Sequence, residues 1–297
     1  MLEQIKILQH NVIKWTYKRR NELYNCYIKE NPDIIILNAT GQTDQQPIKL
    51  FNYKVYQRNK ESEEHAGIAI AVRYNIKHKI HDDYNGDVLA VEVETNRGQI
   101  IIATTYWPPR RDIAPLQDIL RIIRKRIPAY ILGDFNARHP FIGHTRSNNN
   151  GRIINNLINN NLIDYIGPEF PTLVYHRAIG RPDMILSNKN CFMNYSIKEG
   201  ELTTSDHIPV IMTLATKPIV KANREIYQFH KTDWDKFKEV ATGKLLEHER
   251  QNDRTNRPKN KEYIETEIEE WHNIIKQTKE EVVPKKTIQT NPPSKRE

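Results

Sequence analysis

Short, wholly apolar runs, each ended by polar residues, set the limits on how this chain can fold. Tyr130-Ile131-Leu132 stops at Gly133 and is followed by Asp134-Phe135-Asn136-Ala137-Arg138-His139. Ile5 to Leu8 runs into His10-Asn11, and Ile34-Ile35-Ile36-Leu37 runs into Asn38-Ala39-Thr40-Gly41. Four consecutive apolar residues bounded by turn signals fit a strand covered on both faces. An Asp at i and an Asn at i+2 share one face of an extended segment. Taken alone, Asp134-Phe135-Asn136 also reads as an Asx turn closing a strand. Other polar residues at strand ends suggest instead that several of them converge on one edge.

Along the chain, residues 16–30 have helical spacing, with Leu23 and Tyr27 inward, and Asn31-Pro32-Asp33 breaks that helix. A helix between two apolar strands predicts a layered α/β arrangement. Tyr53–Gln57, Gly67–Val72 and Val88–Val93 read as strands, and Asn96-Arg97-Gly98 turns into a returning strand, Gln99–Tyr106. This succession without helices predicts antiparallel meanders rather than a doubly wound parallel sheet. Residues 113–126 and 151–161 read as amphipathic helices outside the sheets. Strands follow at 162–166, 172–175, 181–187, 195–201 and 208–214. Strands and helices thus occur in two successive sets over residues 1–216, the outline of a β-sandwich with helices outside. Residues 217–297 read as a charged helical extension. In it, Trp234, Phe237 and Val240, then Ile264, Ile268, Trp271 and Ile275, mark apolar faces that need a partner. A loosely ordered charged tail is the alternative there.

Lys and Arg number 45 against 37 Asp and Glu, a net charge of +8 that fits a polyanionic partner without specifying one. Cys26 and Cys191 are the only cysteines and belong to no Cys/His metal pattern, as ordinary thiols of a cytosolic or nuclear protein would not. No apolar run approaches the ~20 residues of a membrane span, so no membrane partner is expected.

The polar residues at the strand ends are Asn11, Tyr106, Asp134, Asn136, Thr172, Asp183, Asp206 and His207. Acids, amides and one histidine, with no Ser or Cys nucleophile beside a base, suit phosphodiester hydrolysis by water and a divalent cation. Each residue alone has a plainer role: a turn at Asp206-His207, a surface ion pair at Asp183, packing at Tyr106. Their joint order along the chain is what argues for a site.

That order resembles the endonuclease/exonuclease/phosphatase superfamily, which includes DNase I and the apurinic endonucleases. The stretches IIILNATGQ, GIAIAV, TTYWPP, ILGDFNARH, GRIINNLI, RPDMILS and TSDHIPV resemble, more narrowly, the endonuclease domain of insect-type non-LTR retrotransposons, the jockey and I-like groups. The resemblance covers roughly residues 3–216; the tail resembles the region that leads into a reverse transcriptase in such polyproteins. It implies a four-layer α/β-sandwich, two mainly antiparallel sheets flanked by helices, with a double-stranded DNA partner, Mg²⁺ (or Mn²⁺), and residence in the nucleus or cytoplasm. Asp134 would orient or activate water, Asn136 would hold the phosphate, and His207 paired with Asp183 would stabilise its charge. Tyr106 would contact phosphate, Asn11 and Asp206 would serve the metal, and Thr172 and Arg138 would line the DNA groove.

One departure matters. The family's principal metal-ligand glutamate, in Gln-Glu-Thr, falls on Ala39 of Asn38-Ala39-Thr40, with Asn38 expected to point away. The expected function is a metal-dependent DNA endonuclease weakened by that loss. The alternatives are a catalytically silent DNA-binding relic and a phosphatase of the same superfamily.

Overall fold

The computed structural model describes residues 4–59, 66–81, 83–85, 87–108, 115–175, 178–221, 224–251 and 261–288. Expectations for residues 113–114, for the segment between the last two helices (252–260) and for Pro292-Pro293 fall outside these. The chain divides into two compact units, residues 1–221 and 222–297.

The first unit opens with β1 (Ile5–Asn11), α1 (Tyr17–Glu30), β2 (Ile34–Asn38), β3 (Tyr53–Arg58), β4 (Ile68–Arg73) and β5 (His78–His81). It continues through β6 (Val88–Thr95), β7 (Gly98–Tyr106), α2 (Leu116–Ile123), β8 (Ala129–Asp134), α3 (Asn149–Asn159) and β9 (Ile163–Gly167). A small hairpin, β10 (Leu173–Tyr175) and β11 (Ala178–Gly180), precedes β12 (Asp183–Asn188), β13 (Tyr195–Glu199) and β14 (Val210–Leu214). Two six-stranded sheets result, ordered β13–β14–β1–β2–β4–β3 and β5–β6–β7–β8–β12–β9. Within them β1–β2 and β7–β8 pair parallel and every other pairing is antiparallel. The sheets are therefore mixed, with the antiparallel majority that the helix-free β-β succession predicted.

Alternation along the strands builds the layers. Ile5, Ile7, Ile34 and Ile36 of the first sheet meet Val91, Ile100, Ile102 and Leu132 of the second in one core. The opposite faces carry separate cores: Leu8, Ile35 and Leu37 against Leu23, Cys26 and Tyr27 of α1, and Ile101, Ile131 and Leu186 against α2 and α3. Each fully buried Ile or Leu contributes on the order of 1.5–3 kcal/mol relative to its exposed state. α1 begins where the Thr16 hydroxyl accepts from Arg19 N and ends at Asn31, left-handed at φ 50°, before Pro32. The four layers implied by the resemblance, helix–sheet–sheet–helix, are present.

Residues 217–221 run along this unit rather than away from it. Ile219 exchanges backbone hydrogen bonds with Lys77 and Glu94, and the Lys217 carbonyl accepts from Asn96 N. In the second unit, β15 (Arg224–Tyr227) pairs antiparallel with β16 (Lys285–Ile288), and α4 (Trp234–Gln251) lies beside α5 (Lys261–Val282). His248 bridges to Glu270 at 2.9 Å and Lys244 to Glu281 at 2.9 Å. Ile264, Ile268, Trp271 and Ile275 stand exposed along α5. Neither helix is long and apolar enough to cross a membrane, nor is any other among the described residues.

Gly133 sets how closely β8 approaches β7. A Cβ there would stand 2.1 Å from the Thr105 carbonyl oxygen, so only glycine lets Asp134 sit level with the end of β7.

Candidate active site

Register places the polar strand ends in two facing rows. In the second sheet Tyr106 of β7, Asp134 of β8 and Asp183 of β12 are direct neighbours. In the first, Asn11 and Asn38 are direct neighbours across β1–β2. Paired residues share a face, so Asn38 looks inward with Asn11, contrary to the expectation that it points away. Its amide donates to Thr104 Oγ1 and to the Thr105 carbonyl, both at 3.0 Å.

Asp134 joins the rows. Its Oδ2 accepts from Asn11 Nδ2 at 2.8 Å, and its Oδ1 accepts from Asn136 N at 2.9 Å. Burial, then the negative charge of Asp183, pushes its carboxyl up to about 6. Asn11 turns its NH₂ toward Asp134, while its oxygen accepts from Ile13 N at 3.0 Å. It thus orients Asp134.

Asn136 does not share an extended face with Asp134. β8 ends at Asp134 and Asn136 is left-handed, φ 46°, so the chain turns as the Asx reading had it. The Asn136 side chain donates to the Trp107 carbonyl at 3.2 Å, and its own carbonyl accepts from Asn148 Nδ2. Ile13 (φ 43°), Lys14 (φ 81°) and Ala39 (φ 52°) are left-handed too. Lys14 N donates to the Ala39 carbonyl at 2.7 Å, which ties the loop after β1 to the end of β2. Non-glycine residues in this region cost on the order of 1 kcal/mol or more each, and such strain concentrates at functional sites.

Asp183 and His207 form the second half of the site. His207 Nδ1 donates to Asp183 Oδ2 at 2.6 Å, with both side chains buried. Burial pulls the imidazolium down, but Asp183, Asp134 and Asp206 outweigh it and raise His207 to about 9. The ring is therefore a cation at neutral pH. Ser205 Oγ donates to the Asn11 carbonyl at 2.7 Å, which pins the loop bearing His207 to β1.

Thr172, expected to face DNA, is fully buried, and its hydroxyl accepts from Asp183 N at 3.1 Å. It holds β12 in place and has no surface with which to touch a duplex. Arg138 is exposed and lines a cavity of about 200 Å³ with Asn136, His144, Leu173, Ile179 and Pro182. Tyr106 is half-buried at the end of its strand.

A divalent ion can be tested against these donors. Among the described residues no group of three His, Cys, Asp or Glu converges on a cation position, and Ala39 brings no ligand atom. Asp206 Oδ1, however, is buried and accepts no hydrogen bond, its cationic neighbour being His207 Nε2 at 4.0 Å. Mg²⁺ keeps several waters and needs only one or two carboxylates. Asp206 fits as one carboxylate for such a loosely held ion.

Sequence reading missed Gln9 and His10, both buried on β1. Polar residues inside an apolar strand were the available signal. His10 Nε2 lies 3.1 Å from the His207 carbonyl, which can only accept, so that nitrogen carries the proton and Nδ1 is left bare.

A family model described as "Endonuclease-reverse transcriptase" matches residues 100–211. The "RNA-directed DNA polymerase from mobile element jockey" of Drosophila funebris is 22% identical over 221 residues, covering 71% of this chain and 24% of its own. The "Probable RNA-directed DNA polymerase from transposon X-element" of Drosophila melanogaster is 26% identical over 206 residues, covering 64% of this chain and 22% of its own. This chain thus spans about a quarter of the length of these relatives. Among solved structures, the "Endonuclease domain of TRAS1, a telomere-specific non-LTR retrotransposon" superposes with a TM-score of 0.60 at 17% identity, over 71% of this chain and 98% of that one. The Xenopus laevis APE2 catalytic domain gives a TM-score of 0.53 at 16% identity, over 73% and 94%.

His10 supplies a pH test. Burial lowers it from 6.5 to about 4, so it is neutral in the folded state and protonates first in the unfolded one. Its contribution to stability is complete above pH 6.5 and is lost as the pH falls toward 4. Between about pH 7 and about pH 4, wild type should lose roughly 3 kcal/mol more unfolding free energy than His10→Gln. Urea denaturation at the two pH values measures it; parallel losses contradict the assignment.

Proposed function

We propose that this chain, which is similar to the endonuclease domains of non-LTR retrotransposons within the endonuclease/exonuclease/phosphatase superfamily, is such a domain and nicks double-stranded DNA by divalent-metal-dependent hydrolysis. The observation that carries the proposal is the pairing of a cationic His207 with Asp183 at 2.6 Å, one strand away from a buried, hydrogen-bonded Asp134. The net charge of +8 favours a polyanion.

The roles follow from the geometry. With its carboxyl pushed up to about 6, Asp134 is a better base than an exposed aspartate and orients the attacking water. Asn11 and Asn136 N fix its two oxygens. His207 holds its proton through neutral pH and stabilises charge on the phosphate, while Asp183 fixes the orientation of the ring through Nδ1. Tyr106, at the end of the same row, contacts phosphate, and Arg138 meets the duplex beside it. A bound Mg²⁺ or Mn²⁺ would supply Lewis-acid neutralisation of phosphate charge, with Asp206 and Asn11 as the residues that would hold it. The remainder of the longer polyprotein, a reverse transcriptase region as in the relatives named above, is the partner proposed for the C-terminal unit.

Ala39 favours a second reading, a DNA-binding domain that no longer cuts. Supercoiled plasmid decides between them. Conversion to open circles in Mg²⁺ and none in EDTA supports the endonuclease; binding without nicking at any Mg²⁺ or Mn²⁺ concentration supports the silent domain. Ala39→Glu refines the test, because the left-handed backbone at Ala39 already carries a Cβ and the substitution adds no backbone strain. The Mg²⁺ concentration for half-maximal nicking should fall in this variant. An unchanged requirement in a folded Ala39→Glu protein contradicts a cation position beside residue 39.

A further inference from the structure

Beneath Asp183 lies a pair of buried amides to which the cleavage reading gives no part. Gln9 is 2% exposed and Asn38 is fully buried. Gln9 Nε2 donates to Asp183 Oδ1 at 2.8 Å and to Asn38 Oδ1 at 2.9 Å.

We propose that Gln9 is a positioning residue of the Asp183–His207 pair, itself held in orientation by Asn38; the proposal rests on the reading of this rim as the hydrolytic centre. The orientation is dictated from one end. The Thr105 carbonyl can only accept, so Asn38 must turn its NH₂ to Thr105 and its oxygen to Gln9. Gln9 must then present its NH₂ to Asn38, and the second hydrogen of that group reaches Asp183 Oδ1. The opposite flip would set the Gln9 oxygen against two acceptors in a site closed to water, where unmet polar groups are most costly.

Asp183 is consequently gripped at three points. Gln9 holds Oδ1, the Thr172 hydroxyl holds the backbone N, and Oδ2 is left to His207 Nδ1. Rotation of this carboxylate about its terminal bond would take Oδ2 off the imidazole. Side-chain torsions of that type are otherwise broad, so the two-hydrogen donor from β1 confines one that β12 alone leaves soft. The chain of contacts Thr105–Asn38–Gln9–Asp183–His207 crosses between the sheets, tying the catalytic cation to the end of β2.

Proton NMR of the short His207 Nδ1–H to Asp183 bond tests this without requiring turnover. Wild type should show a far-downfield imidazole proton. In Gln9→Met, which keeps length and removes the donor, that signal should move upfield or broaden by exchange; Gln9→Glu, which keeps the shape, should do the same. Circular dichroism establishes that each variant is folded. In plasmid nicking, kcat should fall on the order of 10²-fold in Gln9→Met with KM changed by less than about threefold. Gln9→Met should add no further loss to His207→Ala, whereas a merely structural role would keep subtracting. An unshifted signal in either folded variant overturns the proposal, whatever the nicking result. A Gln9-dependent signal in a wild type that cuts no DNA supports the positioning role and removes the cleavage reading instead.

Discussion

The hydrogen bond from Asn11 to Asp134 is the contact on which the rest of the rim depends, because it ties the last residue of β1 in one sheet to the last residue of β8 in the other, at the edge of the apolar core the two sheets share. It forms only if β1 and β8 both deliver their last residue to the same level. Parallel β1–β2 and β7–β8 pairings set those levels, and β12 brings Asp183 alongside from the opposite direction. A one-residue slip in any of these pairings would turn the polar end outward and an apolar neighbour inward. The apolar cores on both faces of each sheet hold that register.

Burying this many polar groups is costly, and the structure offsets it by near-complete pairing. Asp134 has both oxygens engaged, Asp183 accepts on both of its oxygens, and Asn38 uses its oxygen and its NH₂. Buried polar atoms without a partner occur at this end, as Asp206 Oδ1, Thr40 Oγ1 and His10 Nδ1, and also elsewhere, as in Tyr27, Tyr84 and Tyr130. Four of the left-handed residues, Ile13, Lys14, Ala39 and Asn136, lie just past the strand ends of the rim. Backbone strain gathered there is characteristic of a surface kept for a ligand rather than for stability.

Much of this was legible in the sequence, since buried strands in this fold are continuous apolar runs and their polar ends stand out. Asp134, Asp183 and His207 were found that way, as was a sandwich of sheets with helices outside; its four layers came from the family resemblance. What escaped was whatever depends on contacts between distant segments. Thr172 looks like a groove residue until β12 is seen to hang from its hydroxyl. Asn38 ends a run that is apolar on both faces, so the sequence does not mark which face it joins; it lies with Ile34 and Ile36 on the face toward the second sheet. Asn136 failed as a same-face partner of Asp134 because β8 ends at Asp134 and the chain turns at a left-handed Asn136. Gln9 shows locally only as a polar residue in an apolar strand; its role exists only because Asp183, 174 residues away, lies across the sheets from it. The short strands β5 and β11 lack apolar runs and are recruited by their neighbours.

The central claim is that these two rows perform chemistry rather than merely grip a duplex. Turnover and DNA affinity measured side by side for Asp134→Ala decide it most directly. The account predicts that kcat for plasmid nicking falls by at least ~10²-fold while the Kd for the same DNA stays within about threefold. Nicking retained at the wild-type rate, or a loss of affinity as large as the loss of turnover, would contradict it.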